Sequence, residues 1–262
     1  MYLAIQMNAL NSRPPPGSTW MCLRDMHLSD AIQRRLLLSG TLYQRKTNHS
    51  EQCFSDFFFG CGQNNQGPFG NTAGVIGLGR HPLSIISQTA PKYGKYFSYC
   101  PPSTSSQTGY LTLGKIGLSN NEGMNYQYSP NRSAFKTIID SMTVITRLPP
   151  KAYSTLRDEF KQMMLKYPTT PRHPILDMCY DLSGHGYVTI PVITIVFGGN
   201  VRVDLAPSGI VIVISSTRFC LAFSANDYEI DVGIFRNTQQ KTLEVVYDVG
   251  RGYLGFGPSG CK

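Results

Sequence analysis

Residues Lys136 to Pro150 read KTIIDSMTVITRLPP. The β-branched pairs Ile138-Ile139 and Val144-Ile145 predict two buried strands, and Asp140 stands at the junction between them. A carboxylate in that place has two readings. It is solvated, capping the helix that follows, or it is buried and therefore hydrogen-bonded, paired or engaged in chemistry. Ser141 and Thr143 supply hydroxyls on either side of Met142 that are placed to hold such an acid.

Pro149-Pro150 open the clearest helix, predicted from Lys151 to Lys166. Ala152, Leu156, Phe160, Met163 and Met164 recur at helical spacing as its packing face. Strands then follow at short intervals: Tyr187 to Ile190, Ile193 to Phe197, Val201 to Leu205, Ile210 to Ile214, Phe219 to Phe223, Val232 to Phe235, Thr242 to Asp248 and Tyr253 to Phe256. Gly198-Gly199-Asn200 has the composition of a hairpin turn.

Upstream of Lys136 the texture is similar as far back as Phe54. Phe57-Phe58-Phe59-Gly60-Cys61-Gly62 ends a strand, Leu83 to Ala90 predicts a short helix, and Lys95 to Cys100 and Gly109 to Leu113 predict strands. The glycines of Ala73-Gly74-Val75-Ile76-Gly77-Leu78-Gly79-Arg80 mark turns or close backbone approach. A phosphate loop is the sharper alternative, but the Lys-Ser/Thr of such a loop is missing and no βαβ unit surrounds it. Residues 1–52 differ: Pro14-Pro15-Pro16 interrupts any element, one short helix fits Ser29 to Leu38, and no strand ladder is evident. The fold class is mainly β with a few short helices.

The chain has 262 residues, 41% hydrophobic and 15% charged, with 25 Gly and 17 Pro, which suits short strands and turns better than a helical bundle. Its net charge of +8 is uneven: the first 50 residues hold 6 Lys/Arg against 2 Asp/Glu. Without a dense basic run interleaved with aromatics, nucleic acid is not the expected partner. The 7 cysteines form no CxxC pair and no metal-ligand spacing with histidine, so neither a metal nor another cofactor is expected, and some disulfides are. Asn48-His49-Ser50 and Asn131-Arg132-Ser133 are sequons compatible with secretion. No apolar run is long enough for a membrane span. The opening MYLAIQMNALNSRPPPGS is not a convincing signal peptide.

Taken together, FFFGCGQNNQGPFGNTAGVIGLGRHPLSIISQTAPKYGKYFSYC, TIIDSMTVITRLPPKAY, ILDMCYDLSG, VTIPVITIVFGG, RFCLAF and IFRNTQQKTLEVVYDVGRGYLGFGPSGC resemble the pepsin-like aspartic proteases (peptidase A1), in particular the plant nepenthesin-like branch. The resemblance runs from about Phe54 to Cys261. It implies two β-lobes facing a cleft, here a partial N-terminal lobe over 53–125 and a complete C-terminal lobe over 126–262, behind a poorly structured non-family segment over 1–52. Each lobe of such a protease gives one Asp from an Asp-Thr/Ser-Gly loop, and the two acids share a proton and a water. One serves as general base on the water while the other protonates the substrate carbonyl. By resemblance Asp140 is the second-lobe catalytic carboxylate, Ser141 the adjacent loop hydroxyl, and Thr143 the residue that orients Asp140. The family pattern also implies disulfides Cys179–Cys220 and Cys61–Cys261, each stabilising by about 3 to 5 kcal/mol, with Cys100 a buried thiol. The resemblance further implies a monomer of the secretory pathway or extracellular space, taking a polypeptide substrate or protein partner in the interlobe cleft.

Three departures matter. No acid before Asp140 is followed by Thr-Gly or Ser-Gly, and the flap with its tyrosine has no counterpart in this chain. Met142 stands where the loop glycine belongs, and Arg236 in Ile234-Phe235-Arg236 stands where the apolar-apolar-Gly element beneath the loop has its glycine. An arginine beside Asp140 favours the bare carboxylate over the shared proton that a dyad requires. The leading expectation is an aspartic endopeptidase homologue that does not hydrolyse peptides as this chain. Two alternatives are a non-catalytic binding or xylanase-inhibitor-like protein, and a truncated gene model of an active protease.

Overall fold

The computed structural model describes residues 4–8, 35–45, 51–62, 72–104, 109–114, 127–129 and 137–257. The chain divides into two compact units, residues 1–95 and 96–262.

In the first unit, strand Arg35–Arg45 pairs antiparallel with Glu51–Gly62, and Ala4–Asn8 pairs antiparallel with Thr72–Gly77. The two N-terminal strands correct the expectation that residues 1–52 hold no ladder. Their signal was weak because Ala4–Asn8 finds its partner some seventy residues away, which no local pattern announces. The long hairpin shifts register between Gly40 and Leu42, where Ser55 and Asp56 oppose the single Thr41 and Asp56 takes φ 55°. That is a β-bulge, and it accommodates the extra residue by bending the strand. Beyond it Phe57 and Phe59 are buried while Phe58 faces out. The Phe58 peptide is satisfied by a side chain: Phe58 N donates to Gln88 Oε1 at 2.7 Å and Gln88 Nε2 donates to Phe58 O at 2.9 Å. The helix expected from Leu83 to Ala90 is two turns, Ile85–Gln88 and Ala90–Tyr93, because Pro91 cannot donate to a continuous ladder.

The second unit holds three sheets and a hairpin that bear on the site. Strands Tyr110–Leu113, Tyr96–Cys100, Glu244–Asp248, Tyr253–Gly257 and Gln127–Ser129 form, in that order, an antiparallel sheet. The first two, which the sequence reading assigned to the first lobe, thus pair into the second unit. Glu244–Asp248 is buried at all its positions, as a central strand should be, and the Phe97 and Tyr247 rings stack at 4.7 Å. Thr194–Phe197 and Val201–Asp204 make the expected hairpin, with Gly199 at φ 78° and Asn200 at φ 59° supplying the left-handed turn. Residues Tyr187 to Ile190, expected as a strand, lie outside any element.

Cys179 and Cys220 are registered opposite one another on adjacent strands Cys179–Asp181 and Arg218–Leu221, and they form the expected disulfide across a Cα–Cα distance of 4.0 Å. Ile145 and Leu176 pack on it. Cys100 is disulfide-bonded, which corrects the expected free thiol. The implied Cys61–Cys261 pairing lies outside the described residues, Cys261 being beyond them and the Cys61 side chain undescribed.

The long helix spans Pro150–Met163. It buries Tyr153 and Phe160, with Met164 buried just past its end, whereas Met163 is 66% exposed and Ala152 is exposed. Phe160 and Met164 thus pack as expected, while at the start of the helix the stripe shifts by one residue from Ala152 to Tyr153 and at its end Met163 drops out. A tyrosine inside a charged stretch is a weak apolar signal, but here its hydroxyl donates to Asp177, so the ring can be buried.

Candidate functional site

Asp140 sits where two strand ends cross. Thr137–Ile139 runs parallel to Gly233–Phe235 with Phe235 registered on Ile139, and Gly233–Phe235 in turn lies against Thr146–Leu148, antiparallel, through Ile234 and Arg147. Phe223–Ala225 completes the sheet, parallel to Thr146–Leu148. The chain therefore leaves Ile139, makes the Asp140–Ile145 loop, returns along Thr146–Leu148, and later inserts Gly233–Phe235 between the two arms. Beta-branched Ile138, Ile139 and Thr146 favour these arms, and Asp140 ends the first one by donating its N–H to Phe235 O at 2.9 Å.

The loop closes on its own acid. Met142 N donates to Asp140 Oδ1 at 2.9 Å and Thr143 N to the same oxygen at 3.4 Å. Thr143 Oγ1 donates to Asp140 Oδ2. Ser141 contributes its carbonyl, which accepts from Asn237 Nδ2 at 3.1 Å. Met142, in the place of the loop glycine, is 41% exposed.

Opposite these donors stands Arg236. Its Nε lies 3.7 Å from Asp140 Oδ2, with the two side chains 20% and 24% exposed. That is ion-pair range but beyond hydrogen-bond range, and the buried Arg236 Nε makes no hydrogen bond. Burial lowers the Arg236 pKa from its ordinary value; the Asp140 charge pulls it back up and the Arg147 charge pushes it further down. Arg147 itself donates to Ala225 O at 3.2 Å and faces Asp227 at 3.8 Å. Among the described residues, the carboxylate of Asp140 thus meets two amides, one hydroxyl and one guanidinium, and no second acid.

Sequence reasoning passed over the layer beneath. The short helix Asn237–Gln240 follows Arg236 and buries Thr238, Gln239 and Gln240. Asn237 N donates to Thr143 O at 3.0 Å and Thr238 N to Val144 O at 3.3 Å, strapping the helix to the Asp140 loop. Gln239 Nε2 donates to Gly209 O and Ala222 O, and its Oε1 accepts from Thr146 Oγ1. The available signal was two adjacent glutamines in NTQQKTLEVVYD, a polar pair directly before an apolar strand. No group of three or more His, Cys, Asp or Glu suited to a metal occurs among the described residues. No helix among them is long and apolar enough to cross a membrane.

The family model described as xylanase inhibitor C-terminal matches residues 112–258, and the one described as xylanase inhibitor N-terminal matches 6–115, so the latter takes in most of the segment that the sequence reading set apart. An aspartyl protease family protein of Arabidopsis thaliana is 45% identical over 246 residues, covering 84% of this chain and 52% of the relative. Nepenthesin-1 of Nepenthes gracilis is 29% identical over 245 residues, covering 78% of this chain and 54% of the relative. The chain spans about half the length of the curated relatives it matches. Among solved structures, basic 7S globulin from soybean is similar with TM-score 0.71 at 17% identity, over 86% of this chain and 69% of that one. Conglutin gamma from lupine seeds is similar with TM-score 0.69 at 16% identity, over 84% and 68%. With an acid loop crossed by a third strand and family models matched along most of its length, the chain belongs to the pepsin-like aspartyl protease family, in the group built from xylanase-inhibitor N- and C-terminal domains.

Proposed function

We propose that this chain is a protease-fold protein that does not hydrolyse peptides by itself, with Asp140 set against Arg236 instead of a second acid. The observation that carries this reading is the Arg236 guanidinium 3.7 Å from Asp140 Oδ2. A dyad works by two carboxylates sharing one proton. Asp140 faces a guanidinium, and the chain has no second Asp-Thr/Ser-Gly loop to supply the partner acid. The test is digestion of denatured haemoglobin at acid pH by the purified, refolded chain. No cleavage is expected, with or without pepstatin. Pepstatin-sensitive cleavage that disappears on Asp140→Asn overturns the reading.

A second reading, a protein that binds another protein through this fold, is favoured by the description of both matching family models as xylanase inhibitor domains. The partner chemistry is then a folded polypeptide such as an endoxylanase. Capture of an endoxylanase by the immobilised chain at micromolar concentration supports this reading, and failure to retain any endoxylanase offered counts against it. Both readings put the protein in the secretory pathway, supported by the Cys179–Cys220 disulfide. Finding the tagged protein reduced and cytosolic overturns that assignment.

A further inference from the structure

We infer that Gln240 is a positioning residue that holds Asp140 and Arg236 at their contact distance, acting through the backbone at the point where the two strands cross. Gln240 is fully buried. Its Nε2 donates to Asp140 O at 3.0 Å and to Phe235 O at 2.8 Å, and its Oε1 accepts from Tyr99 OH at 2.5 Å. Phe235 O also accepts Asp140 N–H. One amide side chain therefore joins the residue that carries the acid, the residue immediately before Arg236, and strand Tyr96–Cys100 of the five-stranded sheet.

The orientation of that amide is determined by its neighbours. Two carbonyl oxygens can only accept, so the nitrogen must face them. Tyr99 OH is the complementary donor: burial, reinforced by Tyr247 and by the Asp140 charge, raises its pKa well above the usual tyrosine value, so the hydroxyl keeps its proton. All three polar atoms opposite Gln240 lose a partner with any apolar replacement: Asp140 O and Tyr99 OH lose the amide, and Phe235 O keeps only the Asp140 N–H. Gln239 is the internal control. It is equally buried and sits in the same short helix, but its bonds go to Gly209, Ala222 and Thr146; it reaches Arg236 only through Thr146 Oγ1, which accepts Arg236 N–H at 2.8 Å, and makes no bond to Asp140. The inference concerns how the Asp140–Arg236 contact is held, so it stands whether or not the chain proves hydrolytic, and it is read without an activity assay.

The experiment is amide hydrogen exchange by NMR on the whole chain, comparing Gln240→Met with Gln239→Met. Gln240→Met is expected to lower protection of the Asp140, Asn237 and Thr238 amides by about tenfold or more, beyond any change at Val245 and Tyr99 in the sheet. Gln239→Met is expected to spare those three amides relative to the same reference. A purely structural role lowers protection of all slowly exchanging amides together in both variants, and that result overturns the inference. So does unchanged protection at Asp140, Asn237 and Thr238 in folded Gln240→Met. Should Gln240→Met fail to fold, Tyr99→Phe removes only the donor to Oε1 and keeps the ring. A smaller loss at the same three amides is then expected, and no loss there overturns the inference.

Discussion

At Asp140 two kinds of stabilisation act on one carboxylate, and magnitude separates them. Thr143 Oγ1 hydrogen-bonds Oδ2 directly, whereas Arg236 Nε stands 3.7 Å away without a hydrogen bond. A hydrogen bond to a charged group contributes about 1.5 kcal/mol or more. A partly solvated ion pair contributes less than about 1 kcal/mol, and less still in salt. Thr143→Val is therefore expected to lower stability more than Arg236→Met, as read from denaturant midpoints at neutral pH. The reverse order would show that the guanidinium, not the hydroxyl, dominates the acid's surroundings.

Among the elements, the long helix makes the sharpest test. The sequence pattern places both Phe160 and Met163 on the packing face, but the structure buries Phe160 to 2% exposure and leaves Met163 at 66%. Phe160 also meets Tyr180 edge to face at 6.1 Å. Phe160→Ala is expected to cost about 3 to 5 kcal/mol through lost transfer and cavity terms. Met163→Ala is expected to stay within about 0.5 kcal/mol, as exposed substitutions do. Urea unfolding of the two variants measures both. Equal losses would mean that the helix packs in the phase the sequence predicts. The disulfide between strands Cys179–Asp181 and Arg218–Leu221 belongs to this scale as well: Cys179→Ser with Cys220→Ser is expected to cost about 2 to 5 kcal/mol by the same measurement.

For the molecule as a whole, the five-stranded sheet introduces a dependence on alkaline pH. Tyr247 and Tyr99 are buried in it, and burial raises both phenols above the usual value of 10.0, an effect that outweighs the lowering by Tyr99 at Tyr247. Above pH 10 the unfolded chain releases these protons while the folded chain keeps them. The folded state then binds more protons, so stability falls as pH rises. The contribution is fully present below pH 10 and is lost progressively above it. Thermal unfolding followed from pH 8 to 11 should show this fall, and Tyr247→Phe should flatten it relative to the parent. A slope unchanged by Tyr247→Phe would assign the alkaline loss to other groups.

The mainly β class, the Asp140 loop with its Thr143 partner, the Gly199-Asn200 turn and the Cys179–Cys220 bridge were all legible in the sequence. Each rests on residues close together in the chain or on a long run of family motif. Arg236 was visible as a substitution, and its consequence depended only on one strand crossing beneath one loop. The tertiary structure alone decided the rest. Ala4–Asn8 became a strand because Thr72–Gly77 offered it a distant ladder. Tyr153 joined the helix's packing face because Asp177, on another segment, could take its hydroxyl. Gln240 acquired its place because Tyr99, Asp140 and Phe235, far apart in the chain, meet around one amide. Local pattern records which face of an element is apolar; it does not record which distant polar group arrives to satisfy a buried one, and that pairing is settled only when the sheets close.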